Sequence, residues 1–95
     1  MREGEPVGVI DRSLLFEAAD TVEGPRNDAY GHPADDFDRA ASIWSGILGV
    51  EVTARQVAMC MVGVKLARQV HAPKRDNVVD AIGYLLCLDA CERRP

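Results

Sequence analysis

The chain has 95 residues, 47% of them apolar and 27% charged, with a net charge of −4 and a pI near 5.0. These totals describe one small globular domain and exclude wholesale disorder, and the acidic balance excludes a general nucleic-acid binder, which would carry a basic field. Aromatic residues are only 5%, so the core must be aliphatic, and a helical domain this small gains stability from self-association.

Residues 1–10 hold two glycines and a proline among mixed charges and read as an N-terminal arm; the domain proper spans residues 11–92. No apolar leader is visible at the start, and no apolar run approaches the length needed to cross a bilayer, so no membrane association is expected. Three cysteines without a Cys-x-x-Cys pair predict a reduced, cytoplasmic setting.

From Asp11 to about Val22, Leu14, Leu15, Ala18, Ala19 and Val22 recur at helical spacing. Ser13 or Asp11 can cap this helix, and Gly24-Pro25 is predicted to stop it. Residues 26–33 then form a loop, Arg-Asn-Asp-Ala-Tyr-Gly-His-Pro. Pro33 opens a second helix, because its missing N–H would be unpaired there anyway, and Asp35 and Asp36 suit its positive N-terminal end. Phe37, Ala40, Ala41, Trp44, Ile47 and Leu48 give it an apolar stripe, and Gly49 ends it.

Thr53-x-x-Gln56 is a capping box that starts a third helix. Its segment Val57 to Ala67 is apolar nearly all round, which predicts burial on several sides, by its own neighbours or by another subunit. Lys65 and Arg68 are the exceptions. After a loop broken by Pro73, Asp76 or Asn77 caps a fourth helix that runs to about Glu92. The expected fold is all-α: four helices, self-associating through the third.

Chemistry is concentrated in three pieces: the loop, Lys65-x-x-Arg68, and Asp76-x-x-x-Asp80-x-x-x-Tyr84. Asp76 and Asp80 share a helical face with Tyr84. Asp80 sits between apolar neighbours, where a carboxylate costs several kcal/mol unless it is paired or binds a metal. One reading is a structural salt-bridge cluster between the last two helices. The other is a site in which Lys65 and Arg68 meet phosphate oxygens while Asp76 and Asp80, with Asp36, hold Mg²⁺, which takes one or two carboxylates plus substrate phosphates. In the loop, Tyr30 can stack on a base, and Arg26 and His32 can reach a phosphate or ribose. No residue is singled out as catalytic. Cys60, Cys87 and Cys91 fall on apolar faces and read as buried small hydrophobes.

The series Arg26, Tyr30-Gly31-His32-Pro33, Lys65-x-x-Arg68, Asp76 and Asp80-x-x-Gly83-Tyr84 resembles a phage- and prophage-encoded helical family of unassigned function. More distantly the layout is similar to nucleotide-modification-associated phage domains and to the MazG-like all-α nucleoside triphosphate pyrophosphatases. That resemblance implies a MazG-like bundle, a nucleotide or other phosphate-bearing ligand, and Mg²⁺-dependent pyrophosphohydrolysis in the host cytoplasm. MazG-like enzymes typically carry Glu-x-x-Glu and Glu-x-x-Asp on successive helices; this chain has Lys65-x-x-Arg68 and the two aspartates Asp76 and Asp80 there. The alternatives are a protein that sequesters a nucleotide, such as a host defence signal, and a small structural or interaction protein.

Overall fold

A computed structural model describes residues 9–94 of the chain. The arm expected over residues 1–10 lies almost wholly outside the described residues. Those described are helical apart from short connections, with no strand among them.

Helix α1, Ser13–Thr21, does not stop at Gly24-Pro25 as the sequence predicts. It runs into a π-helical stretch, Val22–Arg26, and then an α-helical turn, α2, Asn27–Tyr30. Proline in a helix lacks one N–H and drives its ring into the preceding turn. The wider π turn, which contains Pro25, accommodates that defect and lets the helix continue. Much of the expected loop is therefore helix, and the first rod extends to Tyr30. Gly31 ends it at φ 79°, ψ −162°, a region open to glycine alone.

Helix α3, Pro33–Leu48, begins and ends as its sequence dictates, with proline in the first turn and Gly49 in the left-handed conformation at φ 72°. Helix α4, Ala54–His71, opens with the complete capping box: the Gln56 N–H donates to the Thr53 hydroxyl at 3.2 Å and the Thr53 N–H to the Gln56 side chain at 2.9 Å. Helix α5, Arg75–Arg93, starts slightly earlier than predicted, with Lys74 at its N-cap. Asn77 does not cap it; the Asn77 amide donates back to Gln69 and to the Ala72 carbonyl, closing the α4–α5 turn.

The result is four rods, with α5 touching every other one. Helices α4 and α5 are antiparallel: Arg55 near the start of α4 pairs with Glu92 near the end of α5, and Lys65 pairs with Asp80. The core is small, built on Phe37, Ala41, Val57, Ala58 and Cys87, with Val22, Trp44 and Leu88 against it. Burial of α4 is much less than its all-round apolar sequence predicts. Val57 and Ala58 are its buried residues, whereas Met59, Cys60, Leu66 and Val70 are exposed. Only α3 and α5 pack on α4, so its remaining face has no cover within the described chain.

Candidate ligand-binding site

The continued first rod decides where the polar side chains go. Because the π turn carries the helix past Pro25, Arg26 swings under the start of α3 and ion-pairs with Asp36 at 2.7 Å. Their side chains are only 15% and 26% exposed, so each neutralises the other in a largely dry setting. The Arg26 guanidinium lies 4.8 Å from the Phe37 ring centre and 5.5 Å from that of Tyr30, both cation–π distances. Phe37 in turn stacks on Tyr84 of α5, with ring centres 6.2 Å apart. A layered run Tyr30–Arg26–Phe37–Tyr84 thus ties the first rod to α3 and α5. One Arg26 nitrogen, Nη1, is buried without a hydrogen-bond partner.

Beside this run lies a cavity of about 360 Å³ between the first rod and α5. The first rod contributes Ala18, Thr21, Val22, Pro25, Arg26, Ala29 and Tyr30; α5 contributes Val79, Asp80, Gly83 and Tyr84. Gly83 is buried, and a Cβ there would meet Val22 Cγ2 of the first rod at 3.5 Å. Asp80 faces the cavity while ion-paired to Lys65 Nζ at 2.9 Å, with Lys65 itself only 14% exposed. The walls therefore offer aromatic and aliphatic surface, one acid–base pair, and a tyrosine, Tyr30, that is 57% exposed.

Of the residues singled out from sequence, Arg26, Tyr30, Asp80 and Tyr84 line this one cavity, and Lys65 reaches it through Asp80. His32 lines a separate cavity with Pro33 and Leu86. Its Nδ1 accepts the Ala34 N–H at 3.0 Å, so the ring acts as the N-cap of α3. Arg68 lines a third cavity at the α4–α5 turn, and Asp76 is exposed in the first turn of α5.

Asp36 and Asp80 each hold a cation of the protein itself, and Asp76 does not line the cavity. Among the described residues no group of three His, Cys, Asp or Glu side chains converges as a metal seat.

Two features went unseen in the sequence. The Arg26–Asp36 pair depends on a helix continuing through Pro25, which sequence rules discourage. Arg75 forms a clamp, donating to Asp11 and Ser13 and to Glu17, and so fastens α5 to the start of α1. The hydrogen bonds Arg75 donates, first to Asp11 and then to Glu17, raise its pKa above the ordinary value. Its partners lie more than fifty positions away, and no local spacing points to them. The thiols divide by position: Cys87 is buried, and burial pushes its pKa up, whereas Cys60, expected on a buried face, is exposed.

A family model described as a domain of unknown function (DUF6378) matches residues 13–92. The chain belongs to this family. It is 34% identical over 87 residues to the gene 55 protein of Mycobacterium phage D29, covering 90% of this chain and 58% of that relative. It is also 35% identical over 74 residues to the gene 55 protein of Mycobacterium phage L5, covering 76% of this chain and 47% of that protein. The expected kinship with a phage family of unassigned function holds, and the chain spans about half the length of these curated relatives. No solved structure matches it. No helix of the described residues is long and apolar enough to cross a membrane.

Proposed function

We propose that the cavity between the first rod and α5 binds a nucleotide or a similar small molecule with a flat ring and a phosphate. The observation that supports this reading is the convergence of Arg26, Tyr30, Asp80 and Tyr84 on one cavity. Its volume, about 360 Å³, lies at the lower end of the range for small-molecule sites, roughly 300–1,000 Å³. That size suits a base and part of a sugar, with the phosphates outside. Tyr30 and Tyr84 would pack on the ring, and the Lys65–Asp80 pair would read its polar edge.

Binding without turnover is the stronger form of the proposal. The cations and carboxylates at this site already neutralise one another, so it does not resemble an acidic metal seat awaiting Mg²⁺. The MazG-like pyrophosphohydrolase reading would need Asp80 released from Lys65 and joined to Asp76 or Asp36 around Mg²⁺ carried in by the nucleotide. A nucleotide-sequestering protein of the host cytoplasm needs no such rearrangement.

Self-association belongs to the same proposal. Met59, Gly63, Leu66 and Val70 follow the four–three–four spacing of a coiled-coil seam along the uncovered face of α4. A second copy of the same helix is the natural complement of that seam.

The test is a thermal-shift panel of nucleoside mono-, di- and triphosphates and cyclic nucleotides, each with Mg²⁺ and with EDTA. The proposal expects a rise in melting temperature that survives EDTA and disappears in Tyr84→Ala. A rise only with Mg²⁺, accompanied by release of pyrophosphate, would replace sequestration by hydrolysis. No rise with any nucleotide would overturn nucleotide binding.

A further inference from the structure

Seven of the described lysine and arginine side chains stand in ion pairs: Arg26, Arg39, Arg55, Lys65, Arg75, Arg93 and Arg94. Arg12, Arg68 and Lys74 make none. Two of these three, Arg68 and Lys74, line a single cavity of about 430 Å³ at the α4–α5 turn, together with His71 and Asn77. In a chain of net charge −4, three basic side chains gathered without a carboxylate among the lining residues are out of keeping with the rest of the surface.

Part of the cluster has an ordinary explanation. Arg68 and His71 occupy the last turn of α4, where cations complement the carbonyl end of the helix. Lys74 has no such explanation. It is the N-cap of α5, makes no capping hydrogen bond, and puts a positive charge at the positive end of that helix. Sequence statistics favour Asp, Asn, Ser or Thr at an N-cap because those side chains accept the free amides. Lysine at this position costs stability, and a bound anion would offset that cost.

The turn carrying these groups is held in shape. The Lys74 N–H and the Asn77 amide both donate to Gln69 Oε1 at 3.0 Å, and the Asn77 amide also reaches the Ala72 carbonyl at 3.3 Å. The backbone from 69 to 77 is thereby fixed while the three basic side chains remain uncommitted.

We propose that Arg68, His71 and Lys74 form an oxyanion site at the α4–α5 turn that takes a phosphate group, either free or as a monoester. Arg68 supplies a planar two-pronged donor, Lys74 a point charge, and His71 a third donor. The site is separate from the cavity between the first rod and α5, and it does not depend on what that cavity binds.

Titration of the ¹⁵N-labelled protein with inorganic phosphate, and in parallel with glycerol phosphate, followed by amide shifts, tests the site. Saturable shifts confined to residues 67–77 are expected, and about tenfold weaker binding in Arg68→Ala, as loss of a charge-assisted pair requires. Tighter binding of the ester than of free phosphate would identify the monoester as the ligand, and the reverse order free phosphate. Arg12→Ala, which removes the remaining cation without an ion pair among the described residues, should change nothing. Lys74→Asp gives the sharpest result: a rise in melting temperature together with loss of phosphate binding. Shifts spread over the surface and equally reduced by Arg12→Ala, or Lys74→Asp binding phosphate as well as the parent protein, would overturn the proposal.

Discussion

Two regions of this molecule are rich in cations and differ in how those cations are used. Around the cavity between the first rod and α5, the basic groups have a carboxylate close by: Arg26 on Asp36 at 2.7 Å and Lys65 on Asp80 at 2.9 Å. At the α4–α5 turn, Arg68, His71 and Lys74 share a cavity with no acidic lining residue. The first arrangement is structural polarity, spent within the protein to join rods that a small aliphatic core joins only weakly. The second is polarity left open to solvent. The contrast teaches that charge content says little about a site until its pairing is known.

Substitutions separate the two regions by magnitude. Arg26→Met leaves the part-buried Asp36 with only the longer Arg39 contact at 3.9 Å and removes the layer between Tyr30 and Phe37. A loss of about 2 kcal/mol in urea unfolding is expected, between the values for exposed and for buried pairs. Lys65→Met strands the half-exposed Asp80 and should cost about 1 kcal/mol. Asp80→Asn in the same background should recover part of that loss, because the stranded charge is gone. Arg68→Ala, at the open turn, should stay within about 0.5 kcal/mol of the parent protein. If Arg68→Ala destabilised as much as Arg26→Met, the contrast would collapse.

A smaller effect concerns Cys87. Burial raises its folded pKa above the unfolded value, so the neutral thiol is favoured in the folded state. Its contribution is fully present below the unfolded pKa, about 8.5, and is lost as pH rises through the folded value. Urea unfolding followed from pH 7 to 10 should show a modest alkaline decline. Over the same range a thiol reagent should label exposed Cys60 quickly and Cys87 only on unfolding.

Element starts and stops were legible where chemistry is local. Pro33, Gly49 and the Thr53–Gln56 box each act within one turn, and each does what its residue type dictates. Gly24-Pro25 misleads because a π turn absorbs a proline that an α-helix would reject, and no local residue pattern marks that turn. The Lys65–Asp80 contact was legible because a carboxylate among apolar neighbours demands a partner. His32 was not, since its ring caps α3 two residues on, and the same residue type suits a ligand or a cap. For α4 the sequence leaves its cover open, because an apolar helix predicts a cover without saying which molecule, its own neighbours or another subunit, provides it.

The measurement closest to the central claim is amide-shift mapping of the ¹⁵N-labelled protein with the nucleotide that gives the largest thermal shift. Saturable changes at residues 18–30 and 79–84, abolished by Tyr84→Ala in a variant that still folds, are the predicted result. Changes confined to the α4–α5 turn, with residues 18–30 unmoved, would contradict the claim that the first rod and α5 enclose a nucleotide.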